Sequence, residues 1–313
     1  MLRNQTGPAS DAPLIFRHRA GSWNLSERAR VAGILNLTPD SFYDGGRWLD
    51  PARALARAQA MAGEGADAID IGAQSTRPGG DPPIGAEEEW ARLRPVLPAV
   101  VRLGLPVSVD TWSAEVARRA LDEGAAIVND VTGLTAQPEL AGIVASAGAG
   151  LVLMHALGAP DRMHEPVAYE DEVLDVRRFL ERQMKAAVSA GITEERIALD
   201  PGIGFSKRAP QSLRVLQGLP SLTSLGRPLY IGVSRKSFLG RVTGRSIPIE
   251  ERLGAGLGAT VAALALGARI VRTHDVRETV DAIRSAEAIL DPRARLREEA
   301  PAGDAPIQAE ARS

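Results

Sequence analysis

Short apolar runs alternate along this chain with longer segments of helical periodicity. The short runs are rich in β-branched residues and lie at 30–36, 68–71, 106–109, 126–129, 150–154, 196–199, 228–233 and 268–271. Helical spacing of apolar residues marks 51–63, 86–103, 113–123, 170–190, 249–266 and 276–290. Strands that alternate with helices of this length predict a parallel sheet. A doubly wound sheet also satisfies the alternation, but about eight repeats in one chain of this size fit a closed (β/α)8 TIM barrel better. The expected organisation is therefore one barrel over residues 29–291. Residues 1–28 show no clear periodicity and are expected to form a flexible N-terminal extension, and 292–313, rich in Glu, Ala, Pro and Arg, a flexible C-terminal tail.

The polar residues are placed as a barrel enzyme would place them. Nearly every unusual polar cluster begins where an apolar run stops. These are Asn36 after VAGIL, Ser75-Thr76-Arg77 after AIDIGAQ, Asp110 after VSV and Asn129-Asp130 after AIV. His155 then follows LVLM, Asp200 follows IAL, Ser234-Arg235-Lys236 follow IGV, and Arg272 with His274 follow RIV. The carboxyl ends of the strands form the catalytic face of such a barrel. Any one Asp or Asn here is as readily a helix cap or turn residue, and His274 has a purely structural reading too. Convergence of all these positions on one mouth is what makes a site.

The mixture of side chains suggests the ligand. Asp110, Asn129 and Asp200 offer oxygens to a ring that presents several N–H groups, while Lys236 and the Asn129 amide can donate to its acceptors. A flat polar heterocycle suits that set. Asn36, Arg272 and His274 lie on the adjoining first and eighth strands, where they suit a phosphate or a metal-bound diphosphate, and Arg272 can also stack on a ring. The segment DPGIGFSK, 200–207, lacks the spacing of a phosphate loop and reads as a tight turn presenting Asp200. Segments 38–46 and 76–84 are long, polar and rich in Gly and Pro, the composition of active-site covers. Ser237 closes SRKS and opens a helix, where its hydroxyl and the free backbone N–H groups suit a carboxylate.

Composition narrows the choice. The formal net charge of −2 supplies no basic field, so no nucleic-acid partner is expected. Cysteine is absent, which leaves catalysis to oxygen and nitrogen groups. Residues 1–13 are polar with no apolar core of a signal peptide, so a cytoplasmic location is expected. The uncharged stretch 253–266 falls short of the roughly 20 residues a membrane span needs and reads as a buried helix, so no membrane partner is expected.

In order along the chain, GILNLTPDSFYDGG, DIGAQSTRPGG, SVDT, ND, MHALGAP, LDPGIGF, GVSRKSF and VRTHDV resemble the dihydropteroate synthases over about 31–290. The resemblance implies condensation of 6-hydroxymethyl-7,8-dihydropterin pyrophosphate with p-aminobenzoate, in the presence of Mg²⁺, by a homodimer. It implies that Asp110, Asn129, Asp200 and Lys236 grip the pterin, with Met154, Phe205 and Arg272 against its faces. Asn36, Arg272 and His274 would hold the pyrophosphate, Asn36 with the metal. Phe42, Asp44, Thr76, Arg77, Pro78 and Ser237 would form the p-aminobenzoate pocket. Asp110 and Asp44 would stabilise positive charge developing on the pterin, while Lys236, Arg272 and His274 complete the catalytic set. Gln74 stands where the family usually has Glu, and Ala156 where Met is usual.

Three other chemistries use some of the same residues. A methyltetrahydrofolate-type methyltransferase would share the pterin-gripping set without needing the two long loops or the Arg272/His274 pair. A Schiff-base aldolase would use Lys236. A noncatalytic pterin binder would keep the pocket and lack the condensation.

Overall fold

The computed structural model describes residues 12–38, 50–74 and 82–290. A short antiparallel hairpin of β1 (Ile15–His18) and β2 (Gly21–Asn24) precedes eight parallel strands. These are β3 (Arg30–Asn36), β4 (Ala68–Gly72), β5 (Val107–Asp110), β6 (Ile127–Asp130), β7 (Gly150–Met154), β8 (Ile197–Asp200), β9 (Leu229–Ile231) and β10 (Ala268–Thr273). Each pairs with the next in sequence, and β10 closes the ring on β3. The helices outside the barrel are α1 (Pro51–Gly63), α2 (Ala86–Leu93), α3 (Leu97–Val101), α4 (Ala114–Asp122), α5 (Leu140–Ala147) and α6 (Glu172–Ser189), followed by α7 (Ala209–Gln217), α8 (Leu219–Thr223), α9 (Phe238–Val242), α10 (Leu253–Ala265) and α11 (Val276–Leu290). The expected α/β TIM barrel is thus present. The C-terminal tail, 292–313, lies outside the described residues.

Local chemistry sets the helix ends. Asp50, Ser113 and Asp171 each accept a backbone N–H of the first turn of α1, α4 and α6, and Pro51 sits in α1 where no donor is needed. The single helix expected over 86–103 is two, α2 and α3. Pro95 follows the end of α2 and Pro98 opens α3, and a proline can neither donate the helical hydrogen bond nor fit beside the preceding turn. The 249–266 segment begins as a single turn at Ile249–Glu251 before α10 starts. Only one face of α10 is buried, through Gly256, Thr260, Ala263 and Leu264, whereas Gly254, Gly258 and Ala262 are exposed. The expectation of a buried helix there holds for half its circumference. Among the described residues no helix is long and apolar enough to cross a membrane.

Side chains alternate across each strand, and this period of two divides the molecule into two cores. Outward residues such as Val31, Leu35, Ile69, Ile71, Val109, Leu151, Leu199 and Val271 join the layer beneath the helices. Inward residues at the amino ends, among them Ala32, Ala68, Ile127, Val152, Ala198, Tyr230 and Ile270, form a separate cluster with Phe16, Trp23 and Leu25. The hairpin therefore plugs the bottom of the barrel, in a stretch where the sequence shows no periodicity. Phe16 is fully buried, and a Cβ on Gly150 would come within 2.8 Å of its ring, so glycine makes room for the plug. Phe16→Ala is expected to destabilise the protein by about 3–5 kcal/mol, read as a lower urea midpoint. An unchanged midpoint would mean that the hairpin merely rests on the surface.

Candidate active site

The same alternation that builds the lower core aims the last inward residue of the strands at the upper mouth. These residues are Asn36, Asp110, Asn129, Met154, Asp200 and Arg272, at the ends of β3, β5, β6, β7, β8 and β10. Strand pairing brings Asp110 beside Asn129 and Met154 beside Asp200, so the neighbours in the ring are fixed by hydrogen-bonded register.

Arg272 is the hub. Its Nε donates to Asp70 Oδ2 at 2.5 Å and one terminal nitrogen donates to Asp110 Oδ2 at 2.7 Å. Asn129 Nδ2 lies 3.4 Å from the same Asp70 oxygen. Asp70 is fully buried in β4, two residues inside the strand end, which puts it on the inward side beneath the mouth. The guanidinium is planar and divides its donors between two carboxylates, an arrangement that fixes its plane as well as its position. Burial pushes the Asp110 carboxyl up; Arg272 pulls it down and Asp70 adds to the rise.

Opposite lies the turn after β8. Gly202 N–H donates to Asp200 Oδ1 at 2.7 Å, and Gly202 adopts a φ of +66° in which a Cβ would meet the His155 carbonyl oxygen at 1.9 Å. Only glycine fits that close approach. Lys236 Nζ donates to the Ile203 carbonyl and stands 4.6 Å above the centre of the Phe205 ring. Burial raises the Asp200 carboxyl, against Lys236 and the Gly202 N–H, and lowers the Lys236 ammonium to about 8, against Asp200. Met154 and Phe205 pack with Val131, Ala156 and Met163, and Trp112 rests on that cluster, so one wall of the polar mouth is apolar.

On the β10 side, Ser234 accepts the His274 backbone N–H at 3.2 Å and sits 3.1 Å from His274 Nδ1. Ser234 thus holds both the main chain and the ring of His274, which fixes the orientation of the imidazole. Arg57 holds the His274 carbonyl at 2.9 Å. Arg235 occupies the left-handed region at φ +58°, braced by Asp275 and by its carbonyl to Arg252. That backbone turn separates Ser234, on His274, from Lys236, on the Ile203 carbonyl. Ser237 is exposed at the start of α9 and makes no capping bond, so its hydroxyl is not used by the helix it opens.

Two of the strand-end candidates serve the fold. Asp130 is buried and accepts from Thr132 N, Thr132 Oγ1 and Leu134 N, holding the turn after β6. His155 is buried against the edge of Phe179. Phe42, Asp44, Thr76, Arg77 and Pro78 lie outside the described residues. Asp70 was not singled out from the sequence, although a carboxylate within a run as apolar as AIDIG already demands a buried partner.

The sequence profile of a family described as pterin binding enzyme matches residues 32–274. A dihydropteroate synthase of Synechocystis sp. is 43% identical over 268 residues, covering 85% of this chain and 92% of its own. The chain belongs to the dihydropteroate synthase family. Solved structures agree. Xanthomonas albilineans dihydropteroate synthase with 4-aminobenzoic acid matches with a TM-score of 0.79 and 41% identity, covering 86% of this chain and 95% of that one. The same organism's enzyme in complex with 7,8-dihydropteroate matches with a TM-score of 0.76 and 39% identity, over 86% and 96% of the two chains.

Membership of the dihydropteroate synthase family gives the departure at Gln74 its context. Gln74 Nε2 donates to Glu89 Oε2 at 2.5 Å, while its Oε1 accepts the Ile84 N–H at 3.2 Å. Glu89 is fully buried, and burial raises its carboxyl to about 7 against Gln74, Thr111 and Arg92. An amide both donates and accepts, so here one neutral side chain spans from residue 74 to residue 84 and to α2. Ala156, the other departure, is buried in the apolar wall beside Met154.

Proposed function

We propose that this member of the family condenses 6-hydroxymethyl-7,8-dihydropterin pyrophosphate with p-aminobenzoate to give 7,8-dihydropteroate and pyrophosphate. The observation that carries the reading is Arg272 braced by Asp70 and Asp110 on one side of a mouth whose other side is Asp200 and Lys236. A ring with several N–H groups and ring-nitrogen and carbonyl acceptors fits between them. Asp110, Asn129 and Asp200 accept from the pterin, Lys236 donates to it, and Met154, Phe205 and Arg272 cover its faces.

In the reaction the bond from the pterin methylene carbon to the diphosphate oxygen breaks and the diphosphate keeps the electron pair. The arylamine nitrogen then forms the new bond and loses a proton. Asp110 and Asp44 stabilise the positive charge that develops on the pterin. Arg272 and His274 stabilise the departing anion. Ser237, with Phe42, Thr76, Arg77 and Pro78, receives the p-aminobenzoate.

Among the described residues no cluster of three His, Asp or Glu side chains could hold a metal ion by itself. A half-buried amide oxygen at Asn36, beside the anion-binding pair, is nonetheless a donor set that suits Mg²⁺, which takes few protein ligands and completes its shell with phosphate oxygens and water. When bound there, the ion would neutralise charge on the diphosphate.

A homodimer goes with the reading, supported by the exposed small residues Gly254, Gly258 and Ala262 on α10; a purely monomeric mass in sedimentation at micromolar concentration would argue against it. So does a cytoplasmic location, because a diphosphate ester does not cross a bilayer unaided.

The test incubates purified protein with the dihydropterin pyrophosphate, Mg²⁺ and p-aminobenzoate, following pyrophosphate and dihydropteroate by mass spectrometry. Equal amounts of both products are expected, and neither from Asp200→Ala or Lys236→Ala. Tight pterin binding without product would instead make the protein a pterin-binding paralogue.

A further inference from the structure

A second lysine lies beneath the turn that carries Asp200. Lys207 is 5% exposed, and its Nζ donates to the carbonyls of Gly202 and Phe205, each at 3.0 Å, and meets His155 Nδ1 at 2.8 Å. An ammonium has three donors, and three acceptors surround this one. Burial, with Lys207 adding to it, holds the His155 imidazole far below its ordinary range, so the ring is neutral and Nδ1 can accept. Among the described residues no carboxylate is in ion-pair contact with Lys207, and burial lowers its ammonium to about 7 against the field of Asp200, so the full cation is present on the acid side of neutrality. The backbone leading into it is held in left-handed conformations, at Gly204 with φ +82° and at Ser206 with φ +52°. Ser206 is locked there by bonds to Leu157 and Met163. The turn is therefore gripped twice: Lys207 takes carbonyls 202 and 205 from below, and Lys236 takes carbonyl 203 from the mouth.

The two grips are not equivalent once the pocket fills. On the reading above, on which this inference rests, Lys236 donates to the pterin and gives up part of its hold on the Ile203 carbonyl. We propose that Lys207 is a positioning residue for pterin capture, holding the Gly202–Phe205 turn when Lys236 turns to the ligand and supplying positive charge behind Asp200. A side chain that merely filled the space would leave the Phe205 carbonyl without its lysine donor and the Gly202 carbonyl with the Phe205 N–H alone, and would put no cation behind the carboxylate.

The charge has a measurable signature. The groups that bear on Asp200 are Lys236 after β9, Lys207 below the turn and Arg272 from β10, with the Gly202 N–H bonded to it and Tyr230 of β9 nearby. Lys207 itself is faced by Asp200, Lys236 and neutral His155, behind which lies Arg182. Asp200 must be ionised to accept the ring N–H groups. Removing a cation that favours its charged form raises the pH at which it takes up a proton, so pterin affinity is lost earlier as pH falls.

The experiment compares the full-length enzyme with Lys207→Gln, which keeps a donor without the charge, Lys207→Met, which keeps neither, and Lys207→Arg, which keeps both. Thermal unfolding is measured first, then pterin KM and kcat across pH. Lys207→Gln is expected to raise the pterin KM about tenfold with a smaller change in kcat, and to move the acidic limb of kcat/KM up by about one pH unit. Lys207→Arg should restore part of both. A folded Lys207→Gln with an unmoved limb and unchanged KM overturns the proposal. So does failure of Lys207→Gln and Lys207→Met alike to fold, which would make the lysine a requirement of the fold alone. If instead Asp200→Ala leaves pterin binding intact, the reading of the pocket itself has failed, and that result is independent of Lys207.

Discussion

Arg272→Ala is expected to lower kcat/KM for condensation by at least about 10²-fold, the scale set by removing one preorganised donor from a developing anion, and to destabilise the protein in the same step. Both effects follow from the bridge at 2.5 and 2.7 Å to Asp70 and Asp110. Removing one partner of a buried pair leaves an uncompensated charge, a loss of about 3–5 kcal/mol in comparable sites. The pH dependence separates this from a simple cavity. Burial already raises the Asp110 carboxyl, and Arg272 is the group pulling it down. Without the guanidinium its folded-state value rises further above the unfolded one. Stability contributed by the protonated form is then present in acid and lost as pH rises through the raised value. The deficit against wild type should accordingly be smaller at pH 5 than at pH 8 in urea titrations. Arg272→Lys should recover some stability and little activity, because a point charge cannot serve two carboxylates and a diphosphate in one plane. An Arg272→Ala variant with a wild-type midpoint at both pH values would show that the bridge contributes nothing net.

Asp200→Asn should separate recognition from folding. The amide oxygen can still accept the Gly202 N–H that Asp200 Oδ1 accepts at 2.7 Å, so the turn is kept and the melting temperature should hold. The second carboxylate oxygen becomes an NH₂ group, which faces the ring N–H donors of the pterin with another donor. A charged hydrogen bond replaced by a donor–donor clash corresponds to about 10²-fold in pterin affinity. A second consequence concerns Lys236, whose ammonium burial lowers to about 8 while Asp200 holds it up. Removing that carboxylate drops it further, and the activity that needs the cation is lost at lower pH as pH rises. Equilibrium dialysis with the dihydropterin at pH 6.5 and 8.5 reads both effects. Equal affinity to wild type at the lower pH would remove Asp200 from the pterin site.

These predictions use residues that differ in how visible they were along the chain. Asp110, Asn129, Asp200 and Arg272 were legible because each follows an apolar run directly, and parallel strands in a barrel all end on one face. Asp70 was not singled out. It lies inside β4 rather than at its end, and its role depends on a guanidinium 202 residues away in the chain. Lys207 looked like the last residue of a turn; its burial under that turn depends on His155 arriving from β7. The hairpin at 15–24 escaped for a different reason. Four-residue strands carry too few positions to show a period, and this pair is stabilised by the barrel end it closes.

The sequence by itself determined the eight-fold alternation, the barrel it implies, the face on which the chemistry sits and the family. Each of these follows from periodicities and motifs read over a few residues at a time. Only the tertiary structure decided that Arg272 is shared between two buried aspartates, that Asp130 and His155 serve the fold while Asp200 faces the mouth, and that a second cation stands behind it. The Arg272 bridge joins residues from three different strands, and the Lys207–His155 contact joins the turn after β8 to the end of β7, so these partners are chosen only when the barrel closes.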